Sequence, residues 1–117
     1  MKKLIQIMAA WFSKTERRRQ KVEKALNILR KVINNPALDL VTELTRNNID
    51  NQILYALREV INTLFVELAP QYPNARLVAN EEVKTEIVLS EIRKQTESEQ
   101  EENLRRIGSE LEAKIKV

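Results

Sequence analysis

Apolar residues recur at threes and fours along most of this chain, the spacing of one face of a helix. Val22, Ala25, Leu26, Leu29, Val32 and Ile33 form the first long stripe, and Ile28 widens it toward a second neighbour. Upstream, Ser13-Lys14-Thr15-Glu16 has the spacing of a capping box, which predicts that this helix starts near Ser13. Asn34-Asn35-Pro36 stops it, because Pro36 disfavours helical geometry at Asn35 and lacks an amide proton. The same residues predict a second helix with Asn35 as cap and Pro36 in first position, short and buried through Ala37, Leu38, Leu40, Val41 and Leu44.

A polar break, Thr45-Arg46-Asn47-Asn48, precedes the most regular stripe. Ile53, Leu54, Leu57, Val60, Ile61, Leu64, Phe65 and Leu68 predict a third, core-facing helix capped by Asn48 or Asp50. Pro70 and Pro73 force a loop, and the ARLVA run after it reads equally as extended chain or a short helical turn. Asn80 followed by Glu81 and Glu82 is a cap with two acids in the first turn, favourable against the helix dipole. It opens a fourth helix bearing Val83, Ile87, Val88 and Ile92.

Then the stripe fails. Residues 93–103, RKQTESEQEEN, contain no apolar side chain, and apolar spacing resumes only at Leu104, Ile107, Leu111 and Ile115. A helix polar all round does not pack into a core, so this pattern predicts an acidic spacer and a separate amphipathic arm. Gly108-Ser109 offers a further break, and the alternation of Leu111, Ala113, Ile115 and Val117 leaves a terminal strand open as an alternative to helix.

Composition agrees with an all-α chain: one Gly, three Pro, few aromatics and a charged remainder rich in Glu, Lys and Arg. The expected architecture is a single small domain of about four helices with a long C-terminal helix or helical arm. Its expected parts are an N-terminal amphiphilic docking hook over 1–12, a helical core over 13–93, and the spacer plus interaction arm over 94–117.

Chemistry is thinly provided for. There is no Cys, hence no disulfide or thiolate, and no His, the usual general base and the commonest metal ligand. Ser13, Ser90, Ser98 and Ser109 therefore lack an activating imidazole, and one Gly cannot build a phosphate-binding loop. Glu97, Glu99, Glu101 and Glu102 would spread around a helix surface, unlike a metal cage. No catalytic, cofactor or metal site is expected.

Charge changes the picture more. Residues 1–34 carry ten Lys or Arg against two Glu, residues 35–80 three against five, and residues 81–117 seven against ten. The formal net charge of +3 is thus the sum of a strongly basic end and two mildly acidic stretches. The apolar run Leu4, Ile5, Ile7, Met8, Trp11 and Phe12 abuts the basic patch Lys14, Arg17, Arg18, Arg19, Lys21 and Lys24. Gln6 interrupts the run and no small-residue cleavage pattern precedes Ser13, so it does not read as a signal peptide. It is also too short to span a bilayer.

Residues 26–68 contain Asn35-Pro36 followed by Leu38, Asp39, Leu40 and Val41, then Leu44-Thr45, Ile49-Asp50 and Leu57-Arg58. In these features the segment resembles small, uncharacterised all-helical proteins of Bacteroidetes phages and prophages. The resemblance implies a phage setting, not a mechanism. The expected function is a non-enzymatic structural or assembly protein of a phage particle, acting by helix-mediated protein contacts in a homo-oligomer or larger assembly. Its contact residues would be Leu4, Ile7, Met8, Trp11, Phe12, Leu104, Ile107, Leu111 and Ile115. The expected location is the virion or the bacterial cytoplasm, without secretion. Two other classes stand beside it: a protein of an anionic membrane surface in a lysis module, and a nucleic-acid binder using residues 14–24.

Overall fold

The break expected at Ser13 is not used. In the computed structural model, which describes residues 2–71, 78 and 80–115 (the side chains of 7–17 excepted), the first helix, α1, runs unbroken over Lys2–Asn34. No Gly or Pro lies in residues 1–35 to stop it, and a mid-helix Ser or Thr costs only a few tenths of a kcal/mol, up to about 0.7. Hook and core therefore share one helix, about 50 Å long at about 1.5 Å per residue. The molecule itself measures 56 × 30 × 27 Å.

The second helix, α2 (Leu40–Arg46), starts later than its sequence predicts. Asp39, not Asn35, is the cap, its carboxylate accepting from the Val41 amide at 3.0 Å. Asn35 instead accepts from the Ala37 amide at 3.2 Å and holds Pro36–Leu38 in a turn. Starting at Leu40 sets the helix register. Leu40, Glu43 and Leu44 face inward while Val41 is left exposed. Glu43 is buried as a consequence and lies 3.8 Å from the Arg46 guanidinium.

The third helix, α3 (Asn51–Leu68), follows the sequence closely. Asp50 caps it through the Ile53 amide at 2.9 Å. Ile53, Leu57, Val60, Ile61, Leu64 and Phe65 are buried, with Leu54 and Leu68 half-buried at the stripe's edges. A single 3-10 turn, Ala69–Gln71, ends it at Pro70. Tyr72–Leu77 and Ala79, which hold Pro73 and most of the ARLVA run, lie outside the described residues. The fourth helix, α4 (Glu81–Arg93), is capped by Asn80 as expected. It buries Val88, Leu89 and Ile92, while Val83 is exposed.

The apolar-free segment turns out to be an elbow. α4 ends at Arg93 and a fifth helix, α5 (Glu97–Lys114), begins immediately after Lys94–Thr96. Thr96-Glu97-Ser98-Glu99 is itself a cap sequence: the Glu99 amide donates to Thr96 Oγ1 at 3.3 Å, and that hydroxyl donates to the Glu99 carboxylate at 2.9 Å. The other polar residues of the segment close the α4 terminus. Gln100 Nε2 donates to the carbonyls of Ile92 (3.1 Å) and Gln95 (3.3 Å), and Asn103 donates to the Gln95 side chain. Arg93 reaches across to the Val32 carbonyl in the last turn of α1 at 3.4 Å.

This elbow overturns the expected interaction arm. α5 folds back onto α1 and α3, and Leu104, Ile107, Leu111 and Ile115 are buried in the same core as Val22, Leu29 and Leu57. Leu111 is 0% exposed. Residues 94–117 are thus no independent unit where described, and no strand occurs among the described residues. Gly108 does not break α5 either. It sits where α5 crosses α1, and a Cβ there would lie 3.0 Å from Leu26 Cδ1 and 3.7 Å from Val22 Cγ1. The architecture is all-α, with five α-helices around one core among the described residues.

Half-exposed ion pairs stitch the surface: Arg106–Glu67 at 3.1 Å and Lys114–Glu59 at 3.7 Å join α5 to α3, and Arg30–Glu101 at 3.8 Å joins it to α1. Each is worth under about 1 kcal/mol. Apolar burial by α5 dominates. Leu111→Ala should therefore cost about 2–5 kcal/mol in urea unfolding, and a chain ending at residue 94 should lose cooperative thermal melting. An unchanged melt after that truncation would place α5 outside the fold.

Substitutions at Gly108 test the α1–α5 crossing. Alanine there gains up to about 1 kcal/mol of helix propensity and asks only the flexible end of Leu26 to give way, so stability should stay within about 1 kcal/mol of the parent. Gly108→Leu overfills the crossing and should cost about 1–3 kcal/mol. Equal urea midpoints for the two variants would show that the helices do not meet at this point.

Candidate functional site

The sequence places candidate contact residues at both ends of the chain, and the structure separates their fates. Leu104, Ile107, Leu111 and Ile115 are consumed by the core and offer no surface to a partner. The polar stretch before them did contain the signal for this, the Thr96–Glu99 cap, which lets the chain reverse and its stripe return to the domain.

At the N-terminal end the helix is present and its described apolar side chains are exposed. Leu4 and Ile5 are 62% and 64% accessible, and Lys2, Lys3 and Gln6 beside them are also exposed. Along α1 the first buried side chain among those described is Val22. Ile7, Met8, Trp11, Phe12, Lys14 and Arg17 have side chains outside the described residues. Their register along α1 still follows from the helix. At about 100° per residue, Leu4, Met8 and Trp11 share the line that Val22, Leu26 and Leu29 follow into the core. One stripe thus runs the length of α1, and Arg18 and Arg19 interrupt it on either side of that line.

The remaining members of the basic patch are spread over the surface of the same helix. Arg18 is half-buried, while Arg19, Lys21 and Lys24 are exposed. Lys21 lies 3.4 Å from the Asp50 carboxylate, which also caps α3, so one acid joins the two helices. The acidic 97–102 segment does not meet residues 14–24 among the described pairs. Glu101 pairs with Arg30, further along α1, and Glu99 accepts from Thr96, the cap of its own helix.

Elsewhere the molecule offers little chemistry. Among the described residues no group of three or more acidic, His or Cys side chains could hold a metal ion. No described helix is long and apolar enough to cross a membrane. An apolar hollow between the end of α3 and the start of α4 is lined by Phe65, Val66, Pro70 and Val78, with Lys84 above the Phe65 ring at 5.5 Å. Other exposed apolar side chains, Val41 and Tyr55 among them, are the ordinary content of a protein surface. The chain matches no protein-family model, no curated protein and no solved structure.

Proposed function

We propose that this is a non-enzymatic structural or assembly protein that docks onto a larger body through the N-terminal part of α1. The observation that carries this reading is the division of labour within one helix. Its C-terminal half is built into the core from Val22 onward, and its N-terminal end presents Leu4 and Ile5 to solvent. Large apolar side chains on a projecting helix are a solubility liability unless something covers them. A rigid helix anchored at one end by a packed domain loses little entropy when the other end is held, which favours docking over an unstructured tail.

The absence of His and Cys from the sequence supports a non-catalytic role. The phage-particle setting is carried by the resemblance of residues 26–68 alone. Self-assembly through both ends is no longer favoured, since the C-terminal stripe is occupied within the protomer.

The test is fractionation of the native protein. Wild type should sediment with a particle or a membrane pellet. Leu4→Glu combined with Ile5→Glu should release most of it into the supernatant with an unchanged thermal melt, because both positions are exposed. A double variant that sediments like the parent would remove the N-terminal end of α1 from the docking reaction.

A further inference from the structure

We infer that the body which α1 docks onto is an anionic lipid surface, with the N-terminal part of the helix lying in the interface. This rests on the docking reading above and names the chemistry of its partner.

The argument begins with the two faces of the helix. α1 is continuous through this region, so sequence spacing converts directly into angular position. Leu4, Ile5, Ile7, Met8, Trp11 and Phe12 then occupy one contiguous arc. Lys2, Lys3, Lys14, Arg17 and Lys21 occupy the opposite one, together with Gln6 and Ser13. Residues 1–15 contain three Lys and no acid, and the first carboxylate, Glu16, is followed at once by Arg17, Arg18 and Arg19. Helices that lie in a bilayer interface have this constitution: an apolar face with Trp, Phe and Leu, and a polar face rich in Lys and Arg. The long lysine stems lie along the headgroup layer while their ammonium groups remain hydrated.

Charge decides against the nearest rival, a second copy of this chain. In a pair of N-terminal segments packed through their apolar arcs, Arg18 and Arg19, which flank the apolar line, would be drawn to the edge of the contact in either orientation. In a parallel pair each of these two arginines would lie beside its own counterpart. Only Glu16 is available to offset either arrangement. A negative bilayer surface attracts all of these cations through one field and imposes no register. The geometry of the domain is compatible with this. No described helix is long and apolar enough to cross a membrane, and the core follows from Val22 onward on the same helix. Arg18 and Arg19, which interrupt the apolar line, mark where the helix leaves the interface.

Trp11 is the only tryptophan in the chain and sits within the inferred contact, so it reports directly. The full-length protein should co-sediment with vesicles of phosphatidylcholine mixed with phosphatidylglycerol, and its fluorescence should shift to the blue. It should bind phosphatidylcholine vesicles at least tenfold more weakly. Removal of each of Lys2 and Lys3 by alanine should weaken binding about fivefold. Leu4→Glu should abolish the blue shift with an unchanged melt.

Equal binding to both vesicle types, or none to either, overturns the lipid assignment. If vesicles are not bound but an oligomer is present whose mass falls in Leu4→Glu, the docking reading survives and a second copy is the partner. If duplex DNA is bound with a steep salt dependence and vesicles are not, the basic stretch is a nucleic-acid contact and the lipid assignment fails. If Leu4→Glu changes none of these properties, both readings fail.

Discussion

The reversal of the chain at Lys94–Thr96 is the constraint on which the rest of this structure depends. Without it, α4 would continue into a helix with no apolar side chain for eleven residues, and the stripe on α5 would leave the domain. The reversal is made almost entirely by polar groups. Thr96 opens α5, Gln100 closes the end of α4, Asn103 holds the Gln95 side chain in the turn, and Arg93 ties the elbow to the last turn of α1. Each such hydrogen bond contributes about 1 kcal/mol net. Their larger effect is geometric, since they aim Leu104, Ile107, Leu111 and Ile115 at the faces of α1 and α3.

Once α5 is returned, α1 becomes the axis of the molecule. It packs against α2, α4 and α5 along its C-terminal half, and Gly108 lets α5 approach it closely at Leu26. α1 is 33 residues long, and the first buried side chain described along it is Val22. The α-helical backbone that holds Val22 in the core runs on to Leu4, although Leu4 and Ile5 are themselves exposed. Exposed apolar side chains and the buried stripe that stabilises the fold are therefore segregated along a single element. Changes at Leu4 or Ile5 alter what the surface presents without altering what holds the domain together.

Charge follows the same division. Within the domain, oppositely charged side chains meet in pairs that join neighbouring helices, such as Lys21 with Asp50 and Arg106 with Glu67. Beyond the domain the cations of residues 2–19 have a single acid among them, Glu16. The excess positive charge is thus concentrated where the exposed apolar side chains Leu4 and Ile5 are.

Local chemistry made much of this legible in advance. The helical class, the long stripe of α3, its Asp50 cap and the Asn80 cap of α4 follow from periodicity and side-chain capping, which act over a few residues and need no partner elsewhere in the chain. The exposed, basic, apolar N-terminal end is equally visible in the residues themselves. Two competing local signals were decided by context: the Ser13–Glu16 box lies inside a helix, while the similar Thr96–Glu99 box starts one. A cap acts only where the chain stops being helical, and that depends on whether a turn there brings apolar surface together. Only the tertiary structure could show that Leu111 belongs with Leu29 and Leu57 and not with another molecule. A stripe of apolar residues specifies that it must be covered, and the position of the elbow in space determines what covers it.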